Sequence, residues 1–205
     1  MTRPDALVFD CDGTLVDSMP AHYRAWCEAL APVGLTLEER RFYALGGVST
    51  RAIVELLARE QGVSIDVDAI ARARDEAFFR SSAPVTAVAP VVEIARAHRG
   101  VLPMGIATGG VRRQAETGLR AIGVLSWFSA MASADDDVRP KPAPDVFELA
   151  AARLGVDPRR CRAYEDTDVG LAAAQAAGMD VVDIRRLLDD RAGGSPSDRR
   201  NPAAG

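Results

Sequence analysis

The sequence predicts an α/β fold, a doubly wound parallel sheet into which a small helical domain is inserted. Two observations carry this expectation. Residues 6–9, Ala-Leu-Val-Phe, are apolar without alternation, as in a strand buried on both faces of a parallel sheet. From about residue 91 to residue 184 helical and strand-like segments alternate, which builds a sheet covered by helices on both sides. Between the two lies a stretch, residues 17–85, that reads as helical with no clear strand.

In chain order, Tyr23, Trp26, Cys27 and Leu30 recur at helical spacing after the first strand, with Pro20 near the expected helix start, where its missing N–H does no harm. A second helix is expected from about Thr50, with Ile53, Leu56 and Leu57 on one side and Gly62 as its stop. A third covers about 67–80. The segment S-S-A-P-V-T-A-V-A-P, residues 81–90, breaks the periodicity and reads as a hinge or linker. Helix 91–98, strand 101–107, helix 111–121, strand 129–132, helix 145–154, strand 161–164, helix 168–177 and strand 180–184 follow. Pro103 and Gly105 weaken the strand over 101–107. The expected organisation is a core of residues 1–16 and 86–190, a helical cap over 17–85, and a Gly-, Pro- and Arg-rich flexible tail over 191–205.

Composition narrows the function. An apolar content of 48% in 205 residues is enough for a core. The 29 acidic and 25 basic side chains are interspersed and sum to −4, which leaves no basic face for nucleic acid and no polybasic run for a membrane surface. No apolar run approaches the roughly 18 residues of a membrane span, and no apolar signal region follows M-T-R-P-D. Cys11, Cys27 and Cys161 are odd in number and lack C-x-x-C spacing, so reduced thiols and a cytoplasmic location are expected. A monomer is favoured.

In an open parallel sheet, ligands bind beyond the carboxyl ends of the strands. There the chain changes character: Asp10 and Asp12 follow the first strand, Thr108, Gly109 and Gly110 follow Ile106-Ala107, Lys141 stands within R-P-K-P-A-P-D, and Glu165 and Asp166 follow R-A-Y. With only His22 and His98 present, a multi-histidine zinc site is excluded, whereas converging carboxylates suit Mg²⁺. Thr108, the N–H groups of the Gly109-Gly110 turn and Lys141 form a cradle for a phosphoryl group. Asp10, kept ionised by the cation and Lys141, is then the nucleophile. Asp12 carries a proton to the leaving oxygen and later takes one from water. Metal and lysine offset the repulsion between the two acids, which separates their pKa values. Taken alone, Thr108 would be a helix cap and Lys141 a solvated lysine; their company, and the prolines flanking Lys141, favour function. Cys11 is expected to pack inward, and Arg112 and Arg113 to face solvent.

The segments D-C-D-G-T-L-V-D-S, T-G-G, K-P-A-P-D-V-F and E-D-T-D-V-G look like four motifs of one family, in order and at suitable spacing. Through them the chain resembles the haloacid-dehalogenase superfamily of aspartyl phosphotransferases over about residues 5–185. Its insertion is similar to the small cap of the β-phosphoglucomutase-like branch. M-P-A-H-Y-R-A-W, A-L-G-G-V-S-T and A-A-G-M-D-V-V-D-I-R look like the fructose-1-phosphatase type of bacterial sugar phosphatase. The resemblance implies a Rossmann-like core, a cap that opens and closes, and Mg²⁺ held by Asp10, the carbonyl of Asp12 and Asp166, with Glu165 supporting. It also implies that His22 faces substrate hydroxyls or Asp12. Thr167 stands where serine is usual and keeps the hydroxyl.

The function expected is a Mg²⁺-dependent phosphatase of small phosphorylated sugars or sugar acids, fructose 1-phosphate-like, working through an aspartyl phosphate. The alternative is a β-phosphoglucomutase-type mutase. Mutases of the branch usually place a cap arginine for a distal phosphate where this chain has Thr50, and Arg51 would point elsewhere on a helix, which weakens that alternative and leaves Thr50 as a candidate substrate contact. A phospho-accepting receiver domain would be far shorter, with adjacent acids and no cap; a dehalogenase would lack the second acid. Neither a P-loop nor a G-x-G-x-x-G fingerprint is present.

Overall fold

The structure, a computed structural model, describes residues 3–81 and 85–192. The chain opens with β1 (Ala6–Phe9) and β2 (Val16–Asp17), then runs through four helices, α1 (Met19–Leu30), α2 (Glu39–Ala44), α3 (Thr50–Gln61) and α4 (Val67–Arg80). It returns through β3 (Thr86–Ala87) to α5 (Ala89–His98). Strands and helices then alternate: β4 (Met104–Ala107), α6 (Arg112–Ala121), β5 (Ala130–Ala132), α7 (Asp145–Leu154), β6 (Cys161–Glu165), α8 (Asp168–Ala176), β7 (Asp180–Asp183) and α9 (Ile184–Ala192).

Five strands form one parallel sheet in the order β5-β4-β1-β6-β7. Side chains alternate across β1: Leu7 and Phe9 pack with Val91, Leu119 and Ile184 on one face, while Ala6 and Val8 pack with Phe147, Ala150 and Ala173 on the other. Burial of both faces is why this strand shows no polar alternation. Phe9 and Phe147 are fully buried, each a contribution on the order of 2–3 kcal/mol of transfer free energy. Because Phe9 is in register with both Ile106 and Tyr164, Asp10 and Glu165, one residue further on, and Thr108, two residues further on, emerge on one edge from three adjacent strands.

The helical insert has an apolar cluster of its own, built around Trp26, Leu30, Phe42, Val54 and Leu57. Side chains of Ser49 and Asp66 accept from the amides of Ala52 and Ala69 and so cap α3 and α4. Trp26 and Leu30 are buried as the helical stripe predicts, but Cys27 is exposed and Leu56 only half-buried.

Four features differ from the sequence reading. β2 and β3 pair antiparallel where the chain leaves and re-enters the sheet, so only Asp17 at the edge of 17–85 lies in a strand, and 81–90 is not only a linker; two-residue strands are too short to show periodicity. Helix α2, at six residues, escapes for the same reason. The strand expected over 101–107 begins at Met104, since Pro103 has no N–H to donate and the amides of Val101 and Leu102 close a turn onto the His98 carbonyl. Helix α9 occupies the end of the region expected to run from strand into tail at residue 191; residues 193–205 of that tail lie outside the described residues. Among the described residues, no helix is long and apolar enough to cross a membrane.

Candidate active site

The loop after β1 is a tight turn in which the Cys11 carbonyl accepts from the amides of Thr14, Leu15 and Val16. Cys11 points into the core and is fully buried, so Asp10 and Asp12 project from either side of it. Gly13 sits at φ 87°, and a Cβ there would overlap the Asp166 carboxylate. The turn therefore requires glycine twice over, for its conformation and for the approach of Asp166.

Lys141 Nζ lies 2.8 Å from Asp10 Oδ1 and 2.8 Å from Glu165 Oε1, with all three side chains buried. The other oxygen of Glu165 accepts from the Thr167 amide at 2.6 Å and its hydroxyl at 3.0 Å. Asp166 accepts from the Thr14 hydroxyl at 2.7 Å. One carboxylate oxygen from each of Asp10, Glu165 and Asp166 lies within 4.8 Å of the others. Two buried carboxylates, Asp10 and Glu165, thus share a single ammonium, with the half-buried Asp166 beside them. Burial, together with Glu165 and Asp166, lifts the Asp10 pKa well above the carboxylate range against the pull of Lys141. Burial and Glu165 lift Asp166 to about 6. Burial alone would lower the Lys141 pKa, but its two acidic partners raise it. The surplus negative charge and all-oxygen donor set fit a hard divalent cation, with Asp10 and Asp166 the freer ligands because Glu165 is engaged at both oxygens.

The Asp12 side chain turns away from this trio. Its Oδ1 accepts from the Ser18 hydroxyl at 2.5 Å and lies 3.2 Å from His22 Nε2. Burial would raise its pKa, but the His22 imidazole, the Ser18 hydroxyl and Arg74 outweigh that and hold it at about 2. Behind His22, which stacks on Phe78 at 4.3 Å, Arg74 Nη2 reaches His22 Nδ1 at 2.7 Å. Arg74 Nη1 in turn meets Asp75 at 2.8 Å and Gln114 Oε1 at 3.3 Å, and Gln114 Nε2 donates to Asp75 at 3.0 Å.

One cavity joins these groups. Asp10, Asp12, Thr108, Lys141, Glu165 and Asp166 line it from the sheet edge, and His22, Thr50 and Arg74 from the insert. A model of the haloacid dehalogenase-like hydrolases matches residues 4–178 of the chain. The chain belongs to the haloacid dehalogenase-like hydrolase family. It is 38% identical over 185 residues to a fructose-1-phosphate phosphatase of Escherichia coli, a match covering 90% of this chain and 98% of that one. Among solved structures it is similar to CbbY of Rhodobacter sphaeroides in complex with phosphate, with TM-score 0.77 and 26% identity over 87% of this chain and 84% of the other. The fold is also that of a β-phosphoglucomutase from Clostridium difficile, with TM-score 0.76 and 20% identity over 90% and 87% of the two chains. This haloacid dehalogenase-like hydrolase is a phosphoric monoester hydrolase.

Within the hydrolase, the candidate site residues singled out from sequence line the cavity with the exception of Gly110. Thr108 does not cap α6, which starts at Arg112; it is buried, and its hydroxyl oxygen accepts from the Gly110 amide at 3.0 Å. The Gly110 N–H is therefore not free for a phosphate, and of the two glycines it is Gly109 that lines the cavity. His22 is buried, with one ring nitrogen toward Asp12. Arg112 is half-buried and donates to the Met131 carbonyl, and Arg113 lies over the Phe79 ring; neither lines the cavity. Sequence reading missed Thr14, Ser18, Arg74, Asp75 and Gln114. Arg74 sits in A-R-A-R-D-E-A, where Arg72, Arg74 and Asp75 look alike as solvated helix charges, and only the packing of α4 on α1 distinguishes the buried one.

Proposed function

We propose that the protein is a Mg²⁺-dependent, cytoplasmic phosphatase of small phosphorylated sugars or sugar acids, fructose 1-phosphate-like, and that it works through an aspartyl phosphate on Asp10. The observation that carries this reading is the division of the acids. Asp10 shares the lysine and lies in the trio suited to a cation, whereas Asp12 faces the same cavity from a separate set of donors.

In this reading Asp10, Asp166 and the Asp12 carbonyl hold Mg²⁺, with Glu165 supporting. Mg²⁺ held there would neutralise the clustered acids and supply Lewis-acid polarisation of the phosphoryl group. Lys141 steadies Asp10, and the Thr108 hydroxyl hydrogen and Gly109 receive the phosphoryl oxygens. An Asp10 carboxylate oxygen attacks phosphorus; the phosphorus–ester oxygen bond breaks, and the leaving oxygen takes a proton from Asp12. Ser18 and His22 occupy Asp12 Oδ1, which leaves Oδ2 to carry that proton. A nearby phosphate dianion favours the protonated acid, offsetting the donors that hold it ionised in the free enzyme. Water then attacks the phosphorus of the aspartyl phosphate, Asp12 takes its proton, and phosphate leaves with the Asp10 carboxylate restored. Residues 17–85 act as a cap over residues 1–16 and 86–190, closing the cavity against bulk water.

The mutase alternative requires a second phosphate grip. Thr50 lines the cavity while Arg51 pairs outward with Asp68 and Glu55, so no grip comes from that helix start. A panel of phosphate esters with Mg²⁺, read by phosphate release, tests the reading. Free phosphate from sugar monophosphates is expected; isomerised sugar phosphate without phosphate release would favour the mutase, and activity retained in Asp10→Asn would remove the nucleophile assignment.

A further inference from the structure

We infer that the part of the substrate beyond its phosphate is uncharged, and that the pairing of Arg74 with Asp75 enforces this by sequestering the guanidinium that the insert presents to the cavity. The inference rests on the phosphatase reading above and narrows its substrate class from sugars or sugar acids to neutral sugars and polyols.

Among the described residues lining the cavity, the guanidinium and ammonium groups are Arg74 and Lys141. Lys141 is held by Asp10 and Glu165. Arg74 is 8% exposed, and three of its five N–H donors have partners: both on Nη1, to Asp75 and Gln114, and one on Nη2, to the His22 ring; the buried Nε has none. The guanidinium also lies 5.7 Å from the centroid of the Trp26 ring. A carboxylate or second phosphate entering this half of the cavity meets a cation whose charge Asp75 already answers. It must either displace Asp75 or remain buried without a counter-ion, and both cost affinity.

The wall contributed by the insert points the same way. Met19, Trp26, Phe42, Leu45, Val48 and Ile53 make it largely apolar, with the Thr50 side chain among them. Arg51 is adjacent in sequence but more than half exposed, paired with Asp68 and Glu55. Such a wall accepts the C–H faces of a sugar or polyol, and single donors such as Thr50 and Arg74 Nε suit hydroxyls; it offers nothing that neutralises an anion.

The test compares kcat/KM of the Mg²⁺-loaded enzyme for fructose 1-phosphate and sorbitol 6-phosphate with that for 6-phosphogluconate and fructose 1,6-bisphosphate. The neutral pair is expected to be favoured by about tenfold or more. Asp75→Asn keeps an amide oxygen for Gln114 but removes the countercharge, so the ratio should shift about tenfold toward the anionic pair, mainly through KM. Thr50→Arg, which adds a cation to the same wall without touching the Arg74 network, should shift it in the same direction. Equal efficiency of the wild type on both pairs, or ratios unmoved in both variants, overturns the inference and leaves the phosphatase reading standing. Hydrolysis of p-nitrophenyl phosphate with none of the four sugar esters turned over overturns the sugar-phosphate reading itself, and the inference with it.

Discussion

Arg74 Nη2 lies 2.7 Å from His22 Nδ1. Arginine is always a donor, so this contact makes Nδ1 the acceptor and leaves the ring proton on Nε2, 3.2 Å from Asp12 Oδ1. A helix of the insert thereby decides which hydrogen bond the second acid of the site receives. The first prediction is spectroscopic: ¹⁵N shifts of His22 in the free enzyme report the Nε2–H tautomer, and an Nδ1–H ring would contradict the assignment. His22→Phe, which keeps the stacking on Phe78 but loses both ring nitrogens, should lower kcat about tenfold, as expected for a misaligned proton carrier. An unchanged kcat would show that His22 does not orient Asp12.

Removal of divalent cations gives the second prediction. Asp10, Glu165 and Asp166 cluster with one ammonium that pairs with the first two, so Mg²⁺ should raise the melting temperature as well as activate hydrolysis, because binding to the folded state alone stabilises it. Chelation with EDTA should abolish turnover and lower the melting temperature. Hydrolysis untouched by EDTA would refute a cation at this cluster.

Gly170 supplies the third. A Cβ at this position would overlap the Glu165 carboxylate, which is 1% exposed and held by Lys141 and Thr167. Gly170→Ala should therefore cost about 1–3 kcal/mol by overpacking and reduce activity by displacing Glu165 from Lys141. Denaturant midpoints and kcat measured together check this; full stability with full activity would mean that α8 shifts freely.

The fourth concerns acid. Hydrogen bonds from Arg153, at 2.6 and 2.8 Å, hold the Asp136 carboxylate with a pKa of about 2, with burial opposing and the Ser133 amide assisting. Its folded pKa lies below the unfolded value, so its contribution is present above about pH 4 and is lost as pH falls toward 2. The pair is partly exposed, which limits the contribution to about 1 kcal/mol. Asp136→Asn should lower stability by that amount at pH 7, and the gap to wild type should close by pH 2; a gap independent of pH would assign the effect to packing instead.

Most of the parts of the site that were legible in the sequence stand at the ends of expected strands. Asp10, Thr108 and Glu165 were found because a strand buried on both faces announces itself by composition, and the ends of such strands are where an open sheet binds ligands. Lys141 was legible through its flanking prolines. Thr14, Ser18 and Gln114 were not, because a small polar residue in a turn or on a helix carries no signal until something packs beside it. The β2–β3 ribbon was equally silent, since Val16 and Asp17 pair with Ala87 and Thr86, far away along the chain.

By itself the sequence determined the α/β class, the helical character of the stretch between the first strand and the later alternation, the acids and lysine that line the cavity, and the all-oxygen donor set that suits a divalent cation. Those properties reside in residue type and local period. Tertiary structure alone decided which acids share Lys141, which one is set aside with Ser18 and His22, and which arginine of α4 is buried. Each of these depends on groups distant in sequence arriving within hydrogen-bond reach, and charge, burial and donor count are fixed only when they do.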